Sequence, residues 1–145
     1  MGNNAFHDER WDDAITYYTQ AITKDPDGLY QCYSNRSAAY LKKGDLVLAL
    51  EDAGKCISIK PSFHKGHIRR VAVYHTTEDY EDAVEAYKEG LRHCPNDKTL
   101  QRGLKEALKM LRRQNEPDLE GEKLLKTFKF WMTQQQQQQQ QQQCQ

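Results

Sequence analysis

The chain has 145 residues, 37% of them hydrophobic and 29% charged, with 21 basic residues against 21 acidic ones. That length holds one ordinary domain with a sizeable core. Zero net charge gives nucleic acid no overall attraction and makes any charged function local. No apolar run approaches the ~20 residues of a membrane helix.

The start of the chain, MGNNAFHDERW, has neither the basic opening nor the apolar stretch of a secretory signal. Phe6 also stands where a myristoylation signal needs Ser or Thr. From there the 3.6-residue periodicity and the breakers predict helices over about 2–7 and 11–23, 29–42 and 45–57, then 64–76 and 79–92. Their second members align with one another: WDDAITYYTQAITKDP ends at Pro26, DLVLALEDAGKCISIKP at Pro61 and DYEDAVEAYKEGLRHCP at Pro95. Ala14, Ala49 and Ala83 repeat at the same spacing as the prolines, and a small residue follows each by seven positions: Ala21, Cys56 and Gly90. Small residues at fixed places let two helices approach closely, and each proline ends its helix. A period of ~34 residues with this pattern is the signature of tetratricopeptide repeats.

After Pro95, Leu100, Leu104, Ala107, Leu108 and Leu111 share a helical face. A capping helix over about 97–114 would cover the apolar side of the last repeat. The expected fold is therefore all-α: three helix-turn-helix repeats, about 1–28, 29–62 and 63–96, in a right-handed superhelix with a C-terminal capping helix. Together these make a repeat domain of residues 1–114.

Residues 115–133 read as a linker holding a short amphipathic helix. Leu124, Leu125, Phe128 and Trp131 lie on one side, with Lys123, Lys126 and Lys129 toward the other. Packing on the domain or on neighbouring sequence is the leading reading, and contact with a membrane or another protein is its rival. Residues 134–145, with an unbroken glutamine run from Gln134 to Gln143, are expected to be disordered.

Chemistry is conspicuously sparse. There is no phosphate-cradling glycine loop, no His-Glu-x-x-His helix and no nucleophile elbow. Cys32, Cys56, Cys94 and Cys144 form no Cys-x-x-Cys pair and read as reduced thiols. His64 and His67 have no carboxylate or cysteine at ligand spacing and read as a solvent-facing or partner-facing pair. No enzyme activity, metal or cofactor is called for.

What remains is the concave surface lined by the first helix of each repeat. Asn35, Ala38 or Ala39, and Lys42 fall on one face of the second repeat's first helix, and Lys65 and Arg69, four apart, on one face of the third's. The first repeat offers Asn3 with Phe6 one turn later. Asparagine supplies a donor and an acceptor, whereas Lys and Arg only donate. Such a set suits an extended acidic peptide whose carboxylates face the cations. Arg36 points about 100° away from Asn35 and reads as structural.

YSNRSAAYLKKGD and KPSFHKGHIRR, with GNNAF near the start, closely resemble the tetratricopeptide co-chaperones, especially the first chaperone-binding domain of the Hsp-organizing protein family, over about residues 2–111. The resemblance implies a carboxylate clamp for the C-terminal Glu-Glu-Val-Asp tail of the seventy- and ninety-kilodalton heat-shock chaperones. On the matching positions it makes Asn3, Asn35, Lys65 and Arg69 the clamp, Lys42 and Ala38 groove residues, and Phe6 an apolar wall. The family also has a clamp lysine one turn before the first asparagine, a position that would precede Met1. A fragment of a longer protein, or a weakened clamp, is therefore expected. Thr76 stands where the family tends to place a large apolar residue of the peptide pocket. The implied protein is a cytoplasmic, monomeric co-chaperone, with nuclear presence left open. Its rival is a structural repeat scaffold that works through its convex face, the groove being vestigial.

Overall fold

A computed structural model describes residues 10–144, and all its regular elements are helices. They are α1 (Trp11–Lys24), α2 (Tyr30–Lys43), α3 (Leu46–Ile59), α4 (His64–Thr76), α5 (Tyr80–His93), α6 (Lys98–Asn115) and α7 (Leu119–Gln143). The chain divides into two compact units, one ending at Arg112 and the other beginning at Arg113. The segment around 2–7, where a first helix is expected, lies outside the described residues.

In the first unit each helix from α1 to α5 packs on the next, and α2 also touches α4 across α3. α2 and α4 therefore form one layer, the arrangement expected of first helices in stacked pairs. The repeated alanines explain why the stack closes. Ala14, Ala49 and Ala83 are each 0% exposed, so each marks a place where two helices meet too closely for a larger side chain. Gly90 marks a closer approach still. A Cβ built there would lie 3.0 Å from the His67 Cβ and 3.2 Å from Leu100 Cδ1.

The turns between paired helices repeat as well. α2 ends with the Gly44 amide bonded to Leu41 O and the Asp45 amide to Tyr40 O, and Gly44 is left-handed at φ 91°. This is a Schellman cap. Thirty-four residues on, the Glu78 and Asp79 amides make the same two bonds to His75 O and Tyr74 O. There the left-handed residue is a glutamate, Glu78 at φ 59°. The other turns are tied by the proline carbonyls. Pro26 O accepts from the Tyr33 hydroxyl at 2.8 Å, Pro61 O from His67 Nε2–H at 2.8 Å and Pro95 O from Gln101 Nε2 at 3.0 Å.

His67 thus corrects the expectation of a solvent-facing pair. It is 0% exposed, stacked on His93 with centroids 5.7 Å apart, and its Nδ1 has no hydrogen-bond partner. Burial pushes its pKa below the ordinary histidine value, so it is a neutral core residue. His64 is half-exposed, its Nδ1 4.0 Å from Asp97.

Arg36 is structural, as its direction on the helix suggests. Its Nε and Nη2 donate to the two carboxylate oxygens of Asp52, both at 2.7 Å, and Nη1 reaches Thr19 Oγ1 at 3.2 Å. The guanidinium also lies over the rings of Tyr33 and Tyr40. The bond to Asp52 holds the guanidinium pKa above its usual range. Burial raises the Asp52 pKa, against the pull of Arg36. With two short charge-assisted bonds the pair is ionised, and α1, α2 and α3 are joined through one side chain.

α6 closes the core. Leu100 and Ala107 are fully buried against Val71, Val84 and Tyr87, with Leu104 and Leu111 packed alongside. Leu108, expected on the same face, is 47% exposed. The buried stripe of α6 is therefore narrower than its apolar one.

In the second unit, α7 replaces both the short helix of residues 115–133 and the disordered run that were expected. It begins at Asp118, whose carboxylate accepts the Gly121 amide at 2.9 Å, and continues through Gln143. Glutamine is a fair helix former, and extending a capped helix costs far less than nucleating one. Leu124, Leu125, Phe128 and Trp131 are exposed, and the Phe128 and Trp131 rings stack on each other at 6.2 Å.

Candidate functional site

The α2–α4 layer carries the described part of the expected peptide site. On α2, Asn35 is half-buried, Ala38 is buried and Lys42 is exposed in the last turn. On α4, Lys65 is exposed in the first turn and Arg69, one turn on, is half-buried. Thr76 ends α4, exposed, with its hydroxyl turned back onto Ala72 O at 2.9 Å. Asn3 and Phe6 lie outside the described residues.

Arg69 is the residue that joins the two helices. Its Nε donates to the Ser34 carbonyl at 3.1 Å and to the Ser34 hydroxyl at 3.3 Å, next to Asn35 in sequence. Around it stand Tyr18 from α1 and Cys56 from α3, both close enough to feel its charge. The guanidinium therefore ties α4 to α2, with α1 and α3 near enough to be felt electrostatically. Burial lowers its pKa, against a smaller electrostatic pull from Cys56 and Tyr18. The Cys56 thiol is itself pushed up to about 11 by burial, so it is no anion at neutral pH.

Among the described residues Arg69 has no carboxylate partner. The contrast with its neighbours is sharp: Arg36 is held by Asp52 at 2.7 Å and Arg70 by Glu89 at 3.1 Å. A partly desolvated guanidinium without a counter-ion has given up hydration with no ion pair in return. A carboxylate delivered from outside would supply that pair, bidentate if it meets the free edge of the fork. Lys42 and Lys65, both exposed, likewise have no acidic partner among the described residues. Three cations without acids on one two-helix layer make an anion-seeking face in a chain of zero net charge.

The cations are visible in the sequence, whereas what holds Arg69 is not. Ser34, 1% exposed, reads in the sequence as another small helix residue, and its only signal is its place beside Asn35. Tyr18 and Cys56 are visible as periodic apolar positions, with nothing to reveal that they lie within electrostatic reach of an arginine. No group of three or more His, Cys, Asp or Glu side chains suited to a metal ion occurs among the described residues. No helix among them is long and apolar enough to cross a membrane.

Sequence models of the tetratricopeptide repeat match residues 4–30 and 30–63. A curated relative, "Hsp70-Hsp90 organizing protein 2" of Arabidopsis thaliana, is 39% identical over 123 residues, 85% of this chain and 21% of that protein. The chain thus spans about a fifth of the length of such relatives. Among solved structures, the Sgt2 TPR domain from Aspergillus fumigatus superposes with a TM-score of 0.72 at 31% identity, covering 80% of each chain. The first TPR of Spaghetti (RPAP3), bound to the HSP90 peptide SRMEEVD, superposes at 0.69 with 26% identity, covering 77% of this chain and 89% of that one.

Proposed function

The chain belongs to the tetratricopeptide-repeat family, and from that premise we propose that its α2–α4 face is a carboxylate clamp for the acidic C-terminal tail of heat-shock chaperones. The observation that carries the reading is Arg69, half-buried between α2 and α4 and with no carboxylate partner among the described residues. The solved relative holds a peptide ending Glu-Glu-Val-Asp, which brings the chemistry that Arg69 lacks.

In this reading Arg69 and Lys65 take the terminal carboxylate and the last aspartate. Asn35, with Asn3, supplies amides to the peptide backbone and its terminus. Ala38 and Phe6 give the upstream apolar side chain a wall, while Lys42 faces the more distant glutamates. Thr76, short and with its hydroxyl engaged, leaves that end of the groove open. The protein acts without catalysis or cofactor, as a monomeric co-chaperone module in which residues 1–114 are the working domain. Four free thiols suit a reducing compartment, and we place the protein in the cytoplasm.

Each charge-assisted bond nets about 1.5–3 kcal/mol, part of which is offset by ordering a flexible tail. A dissociation constant on the order of micromolar follows. The test is calorimetry on the full chain with a peptide ending Glu-Glu-Val-Asp. Lys65→Ala and Arg69→Ala each lower affinity by about tenfold or more, with helicity unchanged. Equal affinity in wild type and both variants would overturn the clamp and leave the repeats as a scaffold.

A further inference from the structure

We infer that Ser34 is the positioning residue of the clamp arginine: its carbonyl and hydroxyl together seat the Nε–H of Arg69 and aim the guanidinium's outer nitrogens at an incoming carboxylate. The inference rests on the clamp reading above and adds to it a residue that touches no ligand.

The geometry is specific. One N–H meets two acceptors of a single residue, at 3.1 and 3.3 Å, and that residue is 1% exposed. A guanidinium has five N–H donors in a rigid fork, so fixing Nε fixes the plane and direction of the other four. Arginine carries about 2 kcal/mol of rotamer entropy, and a side chain already seated loses less of it when the ligand arrives. Without the hydroxyl, Arg69 Nε would keep the carbonyl as its only acceptor on Ser34.

Two neighbours support this role. The Cys56 thiol and the Tyr18 hydroxyl, near enough to interact electrostatically with the guanidinium, are both held neutral by burial, so neither competes with a carboxylate for it. Ser34 precedes Asn35 on α2, so one turn of helix carries both the clamp amide and the seat of the clamp arginine. A shift of α2 relative to α4 would disturb both at once.

The test is a double-mutant cycle on the full chain, read by calorimetry with a free-acid peptide ending Glu-Glu-Val-Asp. Ser34→Ala is expected to weaken binding about three- to tenfold in the wild-type background and to have no further effect when Arg69→Ala is already present. The salt dependence of binding should also flatten toward that of Arg69→Ala. If Arg69→Ala itself leaves affinity unchanged, the clamp reading has failed, not the positioning role alone. If Arg69→Ala weakens binding while Ser34→Ala does not, or if Ser34→Ala costs the same in both backgrounds, Ser34 is merely structural. Thermal melts of the four proteins keep a folding defect from passing for a binding one.

Discussion

Asp52→Ala should be among the most damaging single changes in the repeat domain that leave the peptide face untouched. The carboxylate accepts two bonds of 2.7 Å from Arg36, and the side chains of the pair are only 7% and 16% exposed. Removing one partner of a buried pair costs about 3–5 kcal/mol, chiefly because the other charge is left unpaired. Arg36 retains Thr19 Oγ1 and the faces of Tyr33 and Tyr40, so about 2–4 kcal/mol is the reasoned loss. For a domain of this size that lowers the thermal midpoint by about 10–15 °C. Circular dichroism melts and urea titrations measure it. Asp12→Ala, which breaks a pair with Lys43 of equal length but on the surface, should leave the midpoint in place. The double change Arg36→Met with Asp52→Leu should recover most of the loss, since a buried ion pair is often replaceable by apolar groups. A loss under about 1 kcal/mol for Asp52→Ala, or a double variant worse than the single, would refute the view that this pair pins three helices.

Glu78→Gly should raise stability by about 0.5–1 kcal/mol, because a left-handed φ of 59° strains any residue with a Cβ; an unchanged urea midpoint would contradict it. Gly90→Ala should cost about 1–2 kcal/mol despite alanine's better helix propensity, since its Cβ would press on the Cβ of the buried His67 at 3.0 Å. Stability should fall as pH drops below about 6.5, because burial holds the pKa values of His67 and His75 below their unfolded value and the unfolded chain then binds more protons. Urea titrations at pH 7.5 and 5.5 check this, and a slope unaltered by His67→Gln would remove His67 as its source.

The repeat was legible because packing writes directly into sequence here. Positions 14, 49 and 83 tolerate only a small side chain, so their spacing shows the stack before any coordinates do. In the stack the described helix ends lie within two residues of expectation, with prolines just past α1, α3 and α5 and Gly44 ending α2. What escaped was whatever depends on contacts between repeats. His67 looks polar in sequence and is a core residue because Pro61 O waits one turn below it. Leu108 carries the right period but lies beyond the reach of the neighbouring helix. Glu78 occupies a glycine position with no local sign of strain. The glutamine run lacks any apolar pattern, and only its attachment to a capped helix gives it one conformation. The candidate site divides in the same way. Lys65, Arg69 and Asn35 are visible by repeat position, whereas the absence, among the described residues, of an acid beside Arg69 is a fact of three dimensions.

That absence is also the most direct point of attack. Binding of a free-acid peptide ending Glu-Glu-Val-Asp to the full chain, compared by calorimetry with the same peptide amidated at its C-terminus, varies only the charge that Arg69 and Lys65 are held to meet. Micromolar binding of the free acid, with a loss of about tenfold or more on amidation, is the predicted result. Equal binding of the two peptides, or of neither, would contradict the clamp.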